Sequence, residues 1–442
     1  MNNKNIFNKE ILDNDFSRNR RLKSLIFLFV CISVGVCPHL GVQISSTLNI
    51  YFISLFILFY GIWILSNNSH NLKTNNNKSQ ITLEDDFPSI DVLVAARDEQ
   101  SVISRLVERL FNLEYPSEKL KIHIIDDGSI DKTPQILKKL SHKYEKLNII
   151  NRSINAGGGK SGALNHALQF TSGEWIFILD ADAQLKNDTL LRMLDFAIQG
   201  SWSAVQLRKS VLNTSKNFLT NCQGIEMVMD AYFQYGRLYG AGISELRGNG
   251  QLIRKDILIN CGSFNENTVT DDLDLSVRLL LSESKIGILW DPPVMEEAVE
   301  SISALFGQRQ RWAEGGLQRF FDYGRYLIHG KLSIIQKFDL IYFFVLQYAL
   351  PIISLIDLIM SILLWQHPIY WPVSFTAFML SAIASWFGCQ RKHEGPILPR
   401  NVLVIFLYLI YLSHWFIIIP WVTLKMSLFP KKIIWKKTIH KG

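Results

Sequence analysis

Apolar residues occur in this chain at two scales. Near the ends the runs are long: 24–42 and 49–65, then 338–365, 371–388 and 402–424. Each falls in the length range that crosses a hydrocarbon core of about 30 Å at about 1.5 Å per residue. Between them the runs are short and alternate with helical periodicity. Ile90 to Ala95, Leu120 to Ile125, Leu147 to Ile150, Trp175 to Leu179 and Ala204 to Leu207 read as strands. Gln100 to Leu113, Thr133 to Tyr144, Ser161 to Phe170 and Asp188 to Ile198 read as helices. Strands apolar on both faces and joined by helices predict a mostly parallel sheet with right-handed crossovers, a Rossmann-like α/β domain.

This patterning divides the chain into a basic amino terminus (1–23), two spans (24–65), an Asn-rich linker (66–89) and the α/β domain (90–300). Amphipathic interface helices (301–337), whose cations Arg309, Arg311, Arg319 and Arg325 are expected at the membrane interface, an apolar carboxyl-terminal region (338–424) and a basic tail (425–442) follow. The first span is long, lacks a small-residue cleavage site and is followed at once by another, which reads as a retained anchor and not a signal peptide. Lys4, Lys9, Arg18, Arg20, Arg21 and Lys23 precede it, so the amino terminus is expected in the cytoplasm and two crossings return the α/β domain there. Three simple crossings after it would put Lys431, Lys432, Lys436, Lys437 and Lys441 outside, against the same rule. One carboxyl-terminal stretch is therefore expected to be re-entrant, interfacial or a pair of short helices.

The formal charge of +7 is concentrated beside the spans, where each basic residue gains about 1 kcal/mol near anionic lipid. A lipid bilayer, not nucleic acid, is the partner this implies. Cys31, Cys37, Cys222, Cys261 and Cys389 are odd in number and show no CxxC spacing, which predicts reduced, packed thiols.

Candidate chemistry lies in the middle. Asp126 and Asp127 end a strand, where a doubly wound sheet binds a nucleotide and carboxylates can accept from base N–H or ribose hydroxyl groups. The rival reading is an acidic turn with a helix cap at Asp131. Asp180 and Asp182 end the next strand, two residues apart, and can jointly hold a hard cation such as Mg2+ or Mn2+ beside a diphosphate. Gly157 to Gly162 is not a phosphate loop, because Ile154 stands where that motif requires glycine. A glycine turn before a helix can still hold an anion with Lys160 assisting, or simply pack against the sheet. Asp272 is the candidate general base for inverting displacement at an anomeric carbon; Asp274 reads as a solvated or capping carboxylate. Gln308, Arg311 and Trp312 share one helical face, a cation beside an aromatic wall.

In this order the motifs resemble the D, DxD, TED and QxxRW series of membrane-bound family 2 glycosyltransferases, with Asp271 where the usual pattern has Glu. Gly158 to Asn165, Glu245 to Gln251, Thr270 to Leu275, Gln308 to Gly316 and Trp435 to Gly442 are more specifically similar to the cyanobacterial diacylglycerol glucosyltransferases of that family. The resemblance implies a GT-A fold with flanking transmembrane helices, UDP-glucose as donor and 1,2-diacylglycerol as acceptor. It also implies a thylakoid or plasma membrane location. By matching position it gives Asp127 to the uridine side, Asp180 and Asp182 to the diphosphate metal and Asp272 to the acceptor hydroxyl. It gives Gln308, Arg311 and Trp312 to the diphosphate and the acceptor mouth, and it places Asn249 and Gly250 at the acceptor's border. A processive polysaccharide synthase shares the motif series, and a silent membrane scaffold could share the fold.

Overall fold

A computed structural model describes residues 19–41, 47–69, 87–391 and 402–429. The residues before 19, most of the Asn-rich linker and the basic tail from 430 lie outside the described residues.

Two apolar helices, α1 (Arg20–Val36) and α2 (Thr47–Ser66), precede the α/β domain. The domain then alternates as read: β1 (Ile90–Ala96), α3 (Ile103–Phe111), β2 (Leu120–Asp127), α4 (Thr133–Lys143), β3 (Leu147–Arg152), α5 (Gly159–Leu168), β4 (Trp175–Asp180), α6 (Thr189–Gln199) and β5 (Ala204–Val211). There follow α7 (Phe218–Ala241), β6 (Gln251–Arg254), α8 (Lys255–Asn260), α9 (Asp271–Leu281) and β7 (Ile286–Glu296). The seven strands make one sheet in the order β3-β2-β1-β4-β6-β5-β7. It is mixed: β6 runs antiparallel to both β4 and β5, while the other neighbouring pairs are parallel. Two apolar layers cover its faces, one around Val92, Val94 and Phe177, the other around Leu93, Ile125 and Ile176.

The strand order reverses beside β1. Its Ala95 pairs with Asp180 and its Ala96 with Asp126, so both acidic motifs emerge at the carboxyl edge of the two strands that flank β1. That is the crevice where open α/β sheets bind ligands.

The segment 302–329 is one helix, α10 (Ile302–His329), capped by the Ser301 side chain at the Ala304 amide. Its expected surface cations are partly internal: Arg309 is fully buried, and Arg319 is buried against Glu245. These buried ion pairs replace the interfacial arrangement expected for those two residues. Gly315 admits the neighbouring chain, since a Cβ there would meet Thr270 Oγ1 at 2.0 Å.

Beyond α10, α11 (Ile334–Phe344) and α12 (Leu350–Leu364) form one apolar rod through a π turn at Val345–Ala349, one turn before Pro351. Then come α13 (Trp371–Gln390), α14 (Val402–Leu412) and α15 (Trp415–Leu428). Among the described residues five helical segments are long and apolar enough to cross a membrane. The last of them is broken between α14 and α15 at Ser413 and His414.

Hydrogen bonds relate the ends of these segments. Near the end of α15, Thr423 O accepts from Ser24 Oγ of α1 at 2.9 Å, and Ser427 O accepts from Arg21 Nε at 3.0 Å. Arg20 in turn pairs with Asp322 of α10 at 2.6 Å. At the end of α13, Arg391 stacks on Trp290 of β7, 3.8 Å from the ring centre. The start of α1 is thereby tied to α10 and to the end of α15, and the end of α13 to β7. All five cysteines are unpaired.

Candidate active site

The residues flagged by sequence fall into two shells around one cleft. Asp126 and Asp127 lie in the shell away from the lining. The Asp126 carboxylate accepts from the Ser129 amide at 3.1 Å and Asp131 accepts from the Thr133 amide at 2.8 Å, an acidic turn ahead of α4, whose N-cap position is Lys132 and not Asp131. Asp127 pairs with Arg152 of β3. Burial pushes its carboxyl up, and the Arg152 and Arg97 charges oppose that. Arg152 also donates to Gly157 O at 2.8 Å, so Asp127 supports the glycine turn through it.

That turn delivers Gly158, Gly159, Lys160 and Ser161 to the cleft. The Lys160 ammonium lies 2.5 Å from Asp180 Oδ1 and donates to Gly248 O at 3.0 Å. Burial would weaken its hold on the proton, but the negative charges of Asp180, Asp271 and Asp272 keep its pKa above the ordinary lysine value. Asp182, also in the lining, accepts from the Glu297 amide at 3.2 Å.

Asn249 and Gly250 are not at the border expected of them. Asn249 is fully buried, and its Oδ1 accepts from the Asp180 amide at 3.1 Å. Gly250 donates to Ile178 O at 3.1 Å, and at φ 72° a Cβ on it would meet Val294 at 2.9 Å. The short antiparallel β6 draws both beneath the floor, leaving Arg247 and Gly248 exposed to the cleft.

Asp271 and Asp272 open α9 and are half-buried in the lining. Desolvation first, and the Asp271 charge second, raise the Asp272 carboxyl to about 6, with Lys160 and Arg247 pulling the other way. Asp274 is not solvated. It is buried, bridging Arg278 at 2.7 Å and the Tyr323 hydroxyl of α10 at 2.9 Å, which makes it an anchor between α9 and α10.

On α10, Gln308, Gln310, Arg311 and Trp312 line the cleft. Desolvation and repulsion from Arg309 lower the Arg311 pKa. Arg309, expected from the sequence only as a cation of an interface helix, is the structural cation of this motif: its guanidinium stacks 4.0 Å over Trp312 and donates to Glu226 at 2.5 Å.

Sequence reasoning also missed Lys209 and Arg247 in the lining. Lys209 pairs with Glu296 at 2.8 Å and stands 5.7 Å from the Trp312 ring. Arg247 is held by Asp230 at 2.8 Å and Glu245 at 2.9 Å. The cleft they complete has a volume of about 1310 Å³.

Comparison with known proteins decides the family. Residues 91–262 match the glycosyl transferase family 2 domain. The chain is 41% identical over 362 residues to a beta-monoglucosyldiacylglycerol synthase of Synechocystis, covering 80% of this chain and 75% of the relative. The enzyme of the same name from Trichormus variabilis is 40% identical over 368 residues, covering 82% and 79%. The chain belongs to glycosyl transferase family 2. Among solved structures, a mannosyltransferase from Pyrobaculum calidifontis in complex with GDP-Man and Mn2+ shares the fold, with a TM-score of 0.52 and 17% identity, covering 92% of this chain and all of that one.

The donors of this family 2 site suit a divalent cation. Asp180 and Asp182 present hard carboxylate oxygens, and a cationic ammonium already sits against Asp180 and the Gly248 carbonyl. No group of three or more acidic, His or Cys side chains suited to a metal exists among the described residues, so a metal here would draw further ligands from substrate or water.

Proposed function

We propose that this protein transfers glucose from UDP-glucose to the 3-hydroxyl of 1,2-diacylglycerol with inversion, forming β-monoglucosyldiacylglycerol. The observation that carries this reading is one cleft containing both Asp272 and the walls of the apolar helices, where a lipid hydroxyl can meet a base. The names of the relatives at 40% and 41% identity support the same transferred sugar and acceptor class.

In this mechanism the acceptor oxygen attacks the anomeric carbon from the face opposite the diphosphate. The C–O bond to the leaving group breaks as the new one forms, the electron pair departs with the nucleotide diphosphate, and Asp272 takes the hydroxyl proton. A carboxylate raised to about 6 is largely ionised near neutral pH and still basic enough to accept. Asp180 and Asp182 would hold Mg2+ or Mn2+, which neutralises charge on the departing diphosphate when bound. Lys160 and Arg311 supply fixed positive charge to the same group, with Gln308 beside them, and Trp312 forms an apolar wall at the acceptor mouth. Asp127 acts on the uridine side through Arg152 and the glycine turn, and Asn249 acts through the Asp180 backbone.

The α/β domain faces the cytosol in this reading. Because α14 and α15 have 11 and 14 residues, they reach about 17 and 21 Å, short of a hydrocarbon core of about 30 Å. Four full crossings plus this broken pair would leave the amino terminus and the basic tail on one side, as their Lys and Arg content requires.

Substituting Asp272→Asn tests the assignment of the base. The variant, folded and membrane-inserted, is expected to lose at least about a hundredfold in transfer rate while still binding UDP-glucose. Normal transfer by that variant would defeat the mechanism.

A further inference from the structure

The cleft does not end at the catalytic residues. Its lining continues among the apolar helices as Leu346 and Leu350 of the π turn and α12, Phe378 and Ser381 of α13, and Leu412 and Phe416 at the break between α14 and α15. We propose that this limb holds the acyl chains of the acceptor lipid while Asp272 engages its hydroxyl, a site that rests on the diacylglycerol reading above.

Three features support it. The lining joins carboxylates (Asp271, Asp272) and other polar groups (Arg247, Gln347) to the hydrocarbon side chains of the apolar helices in one cavity, a chemistry that suits both the hydroxyl and ester region and the chains of a diacylglycerol. The rod α11–α12 carries its π turn where it meets the limb, at Val345–Ala349, and such irregular turns are frequent at functional sites. The limb's far wall is fixed to the catalytic domain: Glu226 of α7 accepts from the Tyr411 hydroxyl at 2.7 Å and from Trp415 Nε1 at 3.1 Å, on either side of the helix break.

A chain leaving the bilayer for this limb exchanges one apolar environment for another, so little hydrophobic free energy is gained. The limb's contribution is orientation. Anchoring the chains restricts where the glycerol hydroxyl can lie, the entropic advantage of a positioned reactant.

The direct test uses a diacylglycerol carrying a diazirine at the end of one acyl chain, irradiated with the full-length protein in nanodiscs and mapped by peptide mass spectrometry. Cross-links within 343–351, 377–381 or 412–419 that are suppressed by excess dioleoylglycerol are expected. Labelling confined to outward-facing residues such as Phe56 and Leu363, insensitive to competitor, overturns the site. As a second readout, Ser381→Trp should raise KM for dioleoylglycerol about tenfold, leave KM for UDP-glucose unchanged and affect dioctanoylglycerol less. Equal effects on both chain lengths overturn it. If Ser381→Trp does not fold, Phe378→Ala substitutes: it should shift preference toward bulkier chains, and unchanged preference counts against the limb. Wild-type protein that glucosylates no diacylglycerol defeats the functional reading and this site together, whereas transfer without chain-length or cross-linking dependence defeats this site alone.

Discussion

Glu226 of α7 and Arg309 of α10 are joined by a charge-assisted hydrogen bond of 2.5 Å between two buried side chains. The pair ties together four elements, because the same carboxylate receives the Tyr411 hydroxyl and the Trp415 indole, and the same guanidinium covers Trp312. A buried ion pair adds little over an apolar substitute, but removing one partner strands a charge.

Glu226→Gln is therefore expected to cost about 3 kcal/mol of stability, read as a lowered thermal midpoint of the purified protein. A midpoint unchanged from wild type would show that Arg309 finds compensation elsewhere.

The transfer rate should depend on the charge of Asp272. Protonation removes the base, so kcat/KM should fall as pH drops through about 6 and level off above it. Asp271→Asn removes one cause of that elevation and should move the acid limb to lower pH. An acid limb that stays in place would assign the titration to another group.

Much of this site was legible in the sequence, because strand ends and helix periodicity place side chains by geometry alone. The strand-end placing of Asp126 and Asp180 needed no more than that. The strands the reading omitted have local causes: Gln251–Arg254 is only four residues long, and Ile286–Glu296 contains Pro292 and Pro293, which argue against a strand. Roles set by tertiary packing were not legible. Nothing local separates Arg309 from Arg311, and the burial of Asp274 depends on Tyr323, 49 residues away. The break in the last apolar stretch falls at Ser413 and His414 and not at Pro420, which stays within α15.

Asn249 lies beneath the cleft and reaches it through the backbone of Asp180. Asn249→Ala leaves the Asp180 amide without its buried acceptor, costing about 1–3 kcal/mol. The expected signature is a lower kcat and weaker metal dependence in protein that remains folded; wild-type kinetics would contradict this role.

The proposed topology of four full crossings plus a broken pair predicts a sidedness. In sealed vesicles, single cysteines at His142→Cys and Phe429→Cys should react with an impermeant thiol reagent from the same side, and His367→Cys from the other. Reaction of Phe429→Cys together with His367→Cys would mean that α14 and α15 cross the membrane as one span.

Product analysis distinguishes the transfer of a single sugar to a lipid from polymer synthesis. Purified full-length protein is incubated with Mg2+, radiolabelled UDP-glucose and diacylglycerol, and the lipid extract is separated from precipitated polymer. Label in one β-linked monoglucosyl lipid is the predicted result. Label in high-molecular-weight material, with none in the lipid fraction, would contradict it.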